Sequence, residues 1–278
     1  MITPETRLVR PSRSATWRVV YGSRVEATAE AMLRPDRRWF VSVDTWDEHY
    51  VDELVDAMVD DLRQDLHTMV EESDTALARR WLSHGFTVER REHEVLIPTD
   101  PAVTGLPEGT VPPGIALIPA DAVDEDRLRM LDEELREDVP GSDGWVNDPQ
   151  EFREYTFAER SYDPATHLVA VDDANEAFAG LVRIWNHPGR RPRLGLIAVT
   201  RPYRRQGLAR TLLGAAFAAL HEQQVAEVSA EVDATNDASE KLLATAGAYR
   251  IGTSVQLVRR WPPATPPGQP VHPESTRL

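Results

Sequence analysis

Val199-Thr-Arg-Pro-Tyr-Arg204-Arg205-Gln206-Gly207-Leu208-Ala209-Arg210 is the stretch on which the reading of this 278-residue chain turns. It joins a β-like run, Arg193–Val199 (RLGLIAV), to a helical one of about Gly207 to Gln223 that carries Leu208, Leu212, Leu213, Ala216 and Leu220 along one face. Gly207 and Ala209 have little or no side chain, so consecutive backbone N–H groups at the helix start can close around an anion. Arg204, Arg205 and Arg210 add positive charge. The arrangement suits a pyrophosphate. It also suits a plain turn glycine with three arginines in solvent, since short patterns match by chance.

Outward from the loop, the C-terminal half alternates in type. Gly114–Ala120 reads as a strand, Asp124–Asp138 as a helix with Leu128, Leu131 and Leu135 at helical spacing, and Pro149–Arg160 as a second helix. His167–Val171 and Ala177–Trp185 are β-rich runs across a polar turn. After the loop come a strand Glu227–Val232, a helix Asp237–Ala246 and a closing strand of about Tyr249–Arg259. The order β-α-α-β-β-β-α-β-α-β demands a mixed sheet with helices on both faces. Two proline-rich stretches, Pro98–Pro113 and Pro262–Leu278, are excluded from strand interiors and long helices by proline's fixed φ and missing donor. The first is expected to be a linker and the second a disordered tail; residues 1–15 are expected to be a disordered N-terminus.

Composition removes several function classes. A formal charge of −15 argues against binding to a nucleic-acid backbone. No apolar run approaches the roughly 20 residues of a membrane span, and the opening MITPETRLVRPSRS has no signal-peptide core. A cytoplasmic protein without a membrane partner is expected. The absence of cysteine excludes a disulfide framework, cysteine-ligated zinc and a cysteine nucleophile. The histidines show no HxxH or HExxH spacing and there is no Gly-x-Ser-x-Gly elbow, so neither a metal site nor Ser-His-Asp chemistry is expected.

The run Val199 to Ala209 resembles the acetyl-CoA loop of the GNAT acyltransferase superfamily, Arg/Gln-x-x-Gly-x-Gly/Ala after a strand ending in Val-x-Pro-x-Tyr-Arg. Here one extra residue precedes the proline. Asn236-Asp-Ala-Ser239-Glu-Lys-Leu242-Leu243-Ala-Thr-Ala-Gly247 is similar to the family's later Asn-x-x-Ala-x-x-Leu-Tyr-x-x-x-Gly-Phe segment, and together the two motifs cover about Gly114 to Trp261. The resemblance implies acetyl-CoA as co-substrate. Its pantetheine arm would lie between splayed strands on main-chain atoms near Ala198 and Val199. Its diphosphate would sit on the amides of Arg205, Gln206, Gly207, Leu208, Ala209 and Arg210, with Arg204 beside them. Asn236 matches the family asparagine near the pantetheine arm and is equally a good helix N-cap; Ser239 falls near the phosphates.

The resemblance further implies direct transfer of an acetyl group from the thioester to a small-molecule amine, which needs a base for the amine and a donor for the leaving thiolate. Two departures bear on this. The family's usual Tyr donor falls on Leu243 and the aromatic after the glycine is Ala248; the strand start where many members carry a basic carboxylate reads Arg193-Leu194-Gly195. Glu231 and Asp233 stand as substitute bases, against a plain reading as surface carboxylates. Tyr249 and Tyr203 stand as substitute donors, against a packing role. In the loop Pro140–Pro149, Asp143, Trp145 and Asp148 lie where relatives shape the acceptor pocket and suit a cationic amine, the alternative being an exposed loop. The alternative function is a GNAT-like protein that holds acyl-CoA without turnover.

Residues 16–97 read as an incomplete copy of the same fold. Asp74…Leu77…Trp81…Gly85-Phe86 aligns with Asn236…Ser239…Leu243…Gly247-Ala248 at an offset of 162. Where a cradle should stand this copy has Asp44-Thr-Trp-Asp47-Glu48-His-Tyr50, with no glycine and three carboxylates to oppose a diphosphate. The expectation is an α/β (α+β) protein of two GNAT-like lobes, each a mixed, mostly antiparallel sheet with helices on both faces. An incomplete, non-catalytic lobe spans 16–97, a linker 98–113 and a complete acetyltransferase lobe 114–261, in a monomer or homodimer. The arrangement resembles tandem GNAT proteins such as mycothiol synthase, in which one copy keeps the cofactor.

Overall fold

The computed structural model describes residues 13–45, 47, 49–107, 109, 111–158 and 160–262. The expected N-terminal segment up to Pro11 and Ser12, the tail beyond Pro262, and Glu48 lie outside them. The N-terminal half runs β1 (Ser14–Tyr21), β2 (Arg24–Leu33), β3 (Trp39–Thr45), α1 (His49–Leu62), β4 (Leu66–Glu71), α2 (Thr75–Ser83) and β5 (Thr87–Pro98). One helical turn, α3 (Pro101–Thr104), lies in the proline-rich connection. The C-terminal half runs β6 (Ile115–Pro119), α4 (Glu125–Arg136), α5 (Pro149–Thr156), β7 (His167–Asp172), β8 (Phe178–Trp185), β9 (Arg193–Val199), α6 (Leu208–Glu222), β10 (Glu227–Asp233), α7 (Asp237–Thr245) and β11 (Tyr249–Arg259).

All eleven strands join one sheet in the order β1-β2-β3-β4-β11-β5-β10-β9-β8-β7-β6, with antiparallel neighbours except β3/β4 and β9/β10. Strand alternation explains the layers of the C-terminal half. On β7, Leu168 and Ala170 enter a core with α6 and α7, while Val169 and Val171 enter a second core with α4 and α5. The helices therefore cover both faces. In the N-terminal half α1 and α2 share a single core around Trp17, Trp81 and Phe86, and α4 and α5 have no counterpart.

The internal repeat is borne out in the backbone. An offset of 162 carries Thr75–Ser83 onto Asp237–Thr245, and the two N-caps, Asp74 and Asn236, share φ/ψ near −85°, 70° and the same side-chain bond to the amide three residues on. Gly85 and Gly247 follow with φ of 83° and 79°. The closing strands then change partners: β5 pairs with β10 and β11 with β4, and the two run side by side in mid-sheet. Each copy's last strand thus completes the other copy's half of the sheet. The connection is docked as well. Leu106 is buried in the C-terminal core, and Arg210 donates to the Gly105 carbonyl at 2.7 Å. No described helix is long and apolar enough to cross a membrane.

Candidate functional site

β9 and β10 touch through one pair, Ser229↔Arg193, and beyond it the parallel ladder stops. β10 is held along its length by β5, and β9 by β8, so the two diverge. A cleft of about 870 Å³ opens in the gap, lined by Leu194–Ile197, Ala230–Asp233, the start of α7 and residues of the N-terminal half. Among the described residues the main-chain groups of β9 on this side have no strand partner beyond Arg193, and of them the Val199 carbonyl accepts from Arg204. These are the groups a linear amide-bearing chain can pair with.

The loop of residues 200–207 leaves the diverging end of β9 and leads into α6. Asp74, Asp100, Asp124, Asp148 and Asn236 each cap a helix through a side-chain oxygen, whereas α6 begins at Gly207 with no side-chain cap. The first intrahelical bond is Thr211 N to Gly207 O, so the amides of Gly207, Leu208, Ala209 and Arg210 have no acceptor among the described residues. Gly207 sits at φ 84°, a left-handed conformation that favours glycine, and the space where a Cβ would stand is open. Arg205 is left-handed too, at φ 64°, and exposed. Bare amides with a helix dipole behind them are a site for an anion, and the residues present fit the diphosphate of a CoA thioester.

Of the other loop arginines, Arg204 donates to Val199 O at 2.8 Å and to Asp138 at 2.6 Å, while Arg201 also meets Asp138 at 2.9 Å. Hydrogen bonds from Arg201 and Arg204 hold the Asp138 carboxyl at about 2. Arg210 is spent on Gly105 and Thr245. Arg205 is therefore the loop arginine without a partner among the described residues, and Gln206 folds back onto Pro202 O. Asn236 caps α7 through Ser239 N at 3.1 Å, and both residues also line the cleft.

The expected acid–base residues divide. Glu231 lies on the cleft wall, paired with Arg193 at 2.6 Å. Asp233 is there as well, but both its oxygens are taken, by Thr235 and by Arg90 at 3.1 Å. Although burial pushes its carboxyl up, these hydrogen bonds and the Arg90 charge outweigh it and hold it below the ordinary range, the environment of a structural carboxylate. Tyr249 is not brought to the site. It is exposed at the start of β11, bonded to Glu227 at the opposite end of β10 from the cleft residues. Tyr203 is bonded to Asp172 at 2.6 Å. Leu243 lines the cleft, buried and without a proton to give. The ring of Trp185 occupies the place above Gly195, where a Cβ would come within 2.3 Å of it.

In the loop between α4 and α5, Trp145 lines the cleft, with its indole N–H on Asn147 at 2.7 Å. Asp148 borders it too, but spends its carboxylate on the α5 amides of Gln150 and Glu151. Asp143 is mostly exposed, off the cleft wall, 3.8 Å from Arg38. The expected acidic reception for an amine is not built from this loop.

Sequence reasoning missed two groups. The first is a buried set in which Asp132 accepts from Arg136 and Arg183, each at 2.8 Å, and from Asn147 at 3.0 Å. Burial raises the Asp132 carboxyl, yet the Arg183 and Arg136 charges outweigh it and bring it to about 2. Its signal was an Asp–Arg pair four apart on the face that carries Leu128, Leu131 and Leu135. The second group comes from β5, where the strand exchange sets Glu94 opposite Glu231 and Glu92 opposite Asp233. Arg90 bridges Glu92 and Asp233, whereas Glu94 meets the Ser254 hydroxyl and no cation among the described residues. No described cluster of three or more His, Cys, Asp or Glu is placed to hold a metal ion.

A model of the Acetyltransferase (GNAT) family matches residues 128–248. No curated protein matches the sequence. Among solved structures the fold is similar to that of a GCN5-related N-acetyltransferase from Sphaerobacter thermophilus, with a TM-score of 0.68 and 21% identity over 87% of this chain and 79% of that one. It is also similar to a tandem GNAT protein from the clavulanic acid biosynthesis pathway, with a TM-score of 0.70 and 18% identity over 90% of this chain and 83% of that one. The bare start of α6, the divergence of β9 from β10 and the capped α7 all fall inside residues 128–248, the span similar to the GNAT acetyltransferase family, and the fold as a whole is similar to that of a tandem GNAT protein.

Proposed function

We propose that the chain transfers an acetyl group from acetyl-CoA to a small-molecule amine by direct attack. The observation that carries this reading is the uncapped N-terminus of α6, reached by the loop that leaves the end of β9 where it diverges from β10. The amides of Gly207 to Arg210, with Arg205, hold the diphosphate, and the unpaired side of β9 orients the pantetheine arm. Bound acetyl-CoA would supply the thioester carbonyl; the protein's own task is to deliver an unprotonated amine to it. Glu94 is the base this reading assigns. It is a carboxylate on the cleft wall with only a hydroxyl partner, while its neighbour Glu231 is neutralised by Arg193.

Titration calorimetry with acetyl-CoA should give one site per chain, and an absence of saturable heat would end the proposal. Release of CoA thiol across an amine panel reads turnover. Glu94→Gln should lower kcat by about 100-fold or more with acetyl-CoA affinity retained. A second reading, acyl-CoA binding without transfer, is favoured by the buried Leu243 in place of a proton donor. Saturable binding with no thiol release from any amine would select it.

A further inference from the structure

The cleft is charged unequally on its two walls. On the β5/β10 wall stand Glu92, Glu94, Glu231 and Asp233 against two guanidiniums, Arg90 and Arg193. Cross-strand carboxylate pairs repel unless a cation lies between them: Arg90 bridges Glu92 and Asp233, whereas Glu94 faces Glu231 with no cation of its own among the described residues. This wall therefore has unmet affinity for positive charge.

The facing wall is the reverse. Asp132 is one carboxylate against two guanidiniums, and all three residues are more than nine-tenths buried. The remaining acids there are committed elsewhere, Asp148 to the α5 amides and Glu151 to Arg13. His167, opposite Arg183 in the ladder, adds no charge: burial and the Arg183 charge bring it to about 3, leaving it neutral. Among the described residues Arg183 spends only Nη2 and Arg136 only Nε on a hydrogen bond, and the buried Nε of Arg183 has no partner there. Arg136 and, from the other lobe, Arg34 flank the Trp145 ring at 4.0 and 5.4 Å, so guanidinium planes are held rigidly beside the free donors. A buried excess of one positive charge is costly, and an anion brought by a ligand relieves it.

We infer that the acceptor is zwitterionic: an amine that also bears a carboxylate, the carboxylate seated on Arg136 and Arg183 and the ammonium drawn to Glu94 and its neighbours. A monoanion matches the single excess charge better than a dianionic phosphate does. The inference rests on the proposed amine acetylation for the role of the ligand. Its test reads binding alone, so a failure of transfer is seen separately in thiol release.

The full chain, with CoA present, is titrated with a series of aminocarboxylates from glycine through 6-aminohexanoate and simple dipeptides. Each is paired with its carboxamide and its aminophosphonate, and binding is followed by calorimetry and by the fluorescence of Trp145 and Trp185. At least one aminocarboxylate should bind about tenfold or more tightly than its carboxamide and no more weakly than its phosphonate. Arg136→Gln, which leaves Asp132 paired with Arg183, should bring the carboxylate-to-carboxamide ratio toward one, its thermal midpoint reporting that the fold is intact. Equal affinity for acid and amide, tighter binding of the phosphonate, or no binding by any aminocarboxylate overturns the assignment. So does an unchanged ratio in folded Arg136→Gln.

Discussion

Two helices of this molecule start in the same topological place and treat negative charge in opposite ways. α1 and α6 each follow a strand that diverges from the next parallel strand. Three residues, 46–48, separate β3 from α1, and eight, 200–207, separate β9 from α6. At α1 the Asp47 carboxylate accepts from the His49 amide at 2.9 Å, so the chain supplies its own anion. At α6 glycine supplies nothing, and the amides are left for an outside partner. In the N-terminal half the last paired rung before the strands part is Phe40 and His67, whose rings stack with centroids 5.5 Å apart. A shared fold therefore does not confer a shared site. The loop length and the source of the negative charge decide it.

The comparison breaks hardest at Gly207. Gly207→Glu places a carboxylate at the bare amides and a side chain at φ 84°, and should weaken acetyl-CoA binding by about 100-fold or more in calorimetry. Retained affinity would mean that the diphosphate lies elsewhere. The next effect concerns α4, which the N-terminal half lacks. Asp132→Asn leaves Arg136 and Arg183 buried without a counter-charge and should cost about 3–5 kcal/mol in urea unfolding.

Its pH dependence sharpens that point. The folded Asp132 carboxyl lies at about 2, below the ordinary 3.8. The stability it lends is full above the ordinary value and is lost as pH falls toward about 2. Acidification across that window should therefore lower the urea midpoint of the wild type more than that of Asp132→Asn. The smallest effect belongs to α1. Asp47→Ala removes its capping acceptor, should cost about 1 kcal/mol, and should leave one acetyl-CoA per chain. A second equivalent bound by that variant would show that charge alone had closed the N-terminal copy.

Local patterns were the legible part of this sequence. The helix α7, its Asn236 cap and its match to α2 at an offset of 162 follow from side-chain periodicity and cap chemistry, both of which act over a few residues. The loop from Val199 to Arg210 was legible for the same reason. Strand partnership was not. β5 and β11 are alike in alternation and length, and nothing within either says which copy's neighbour it will pair with, so the charged run Arg90-Arg91-Glu92-His93-Glu94 gave no hint that it faces β10. Tyr249 was misjudged on that account: nearness in sequence to the cleft segment does not survive a strand that runs the other way. The arginines of the α4/β8 wall were hidden because a charged side chain in a mostly apolar helix face reads as surface until its partner from a distant strand is known.

The exchange of closing strands has a mechanical consequence. A nick between Gly105 and Gly114 would cut one covalent link while leaving β5 stitched between β11 and β10. The fragments would stay clasped and melt together, as in a domain-swapped dimer whose two subunits have been written into one polypeptide.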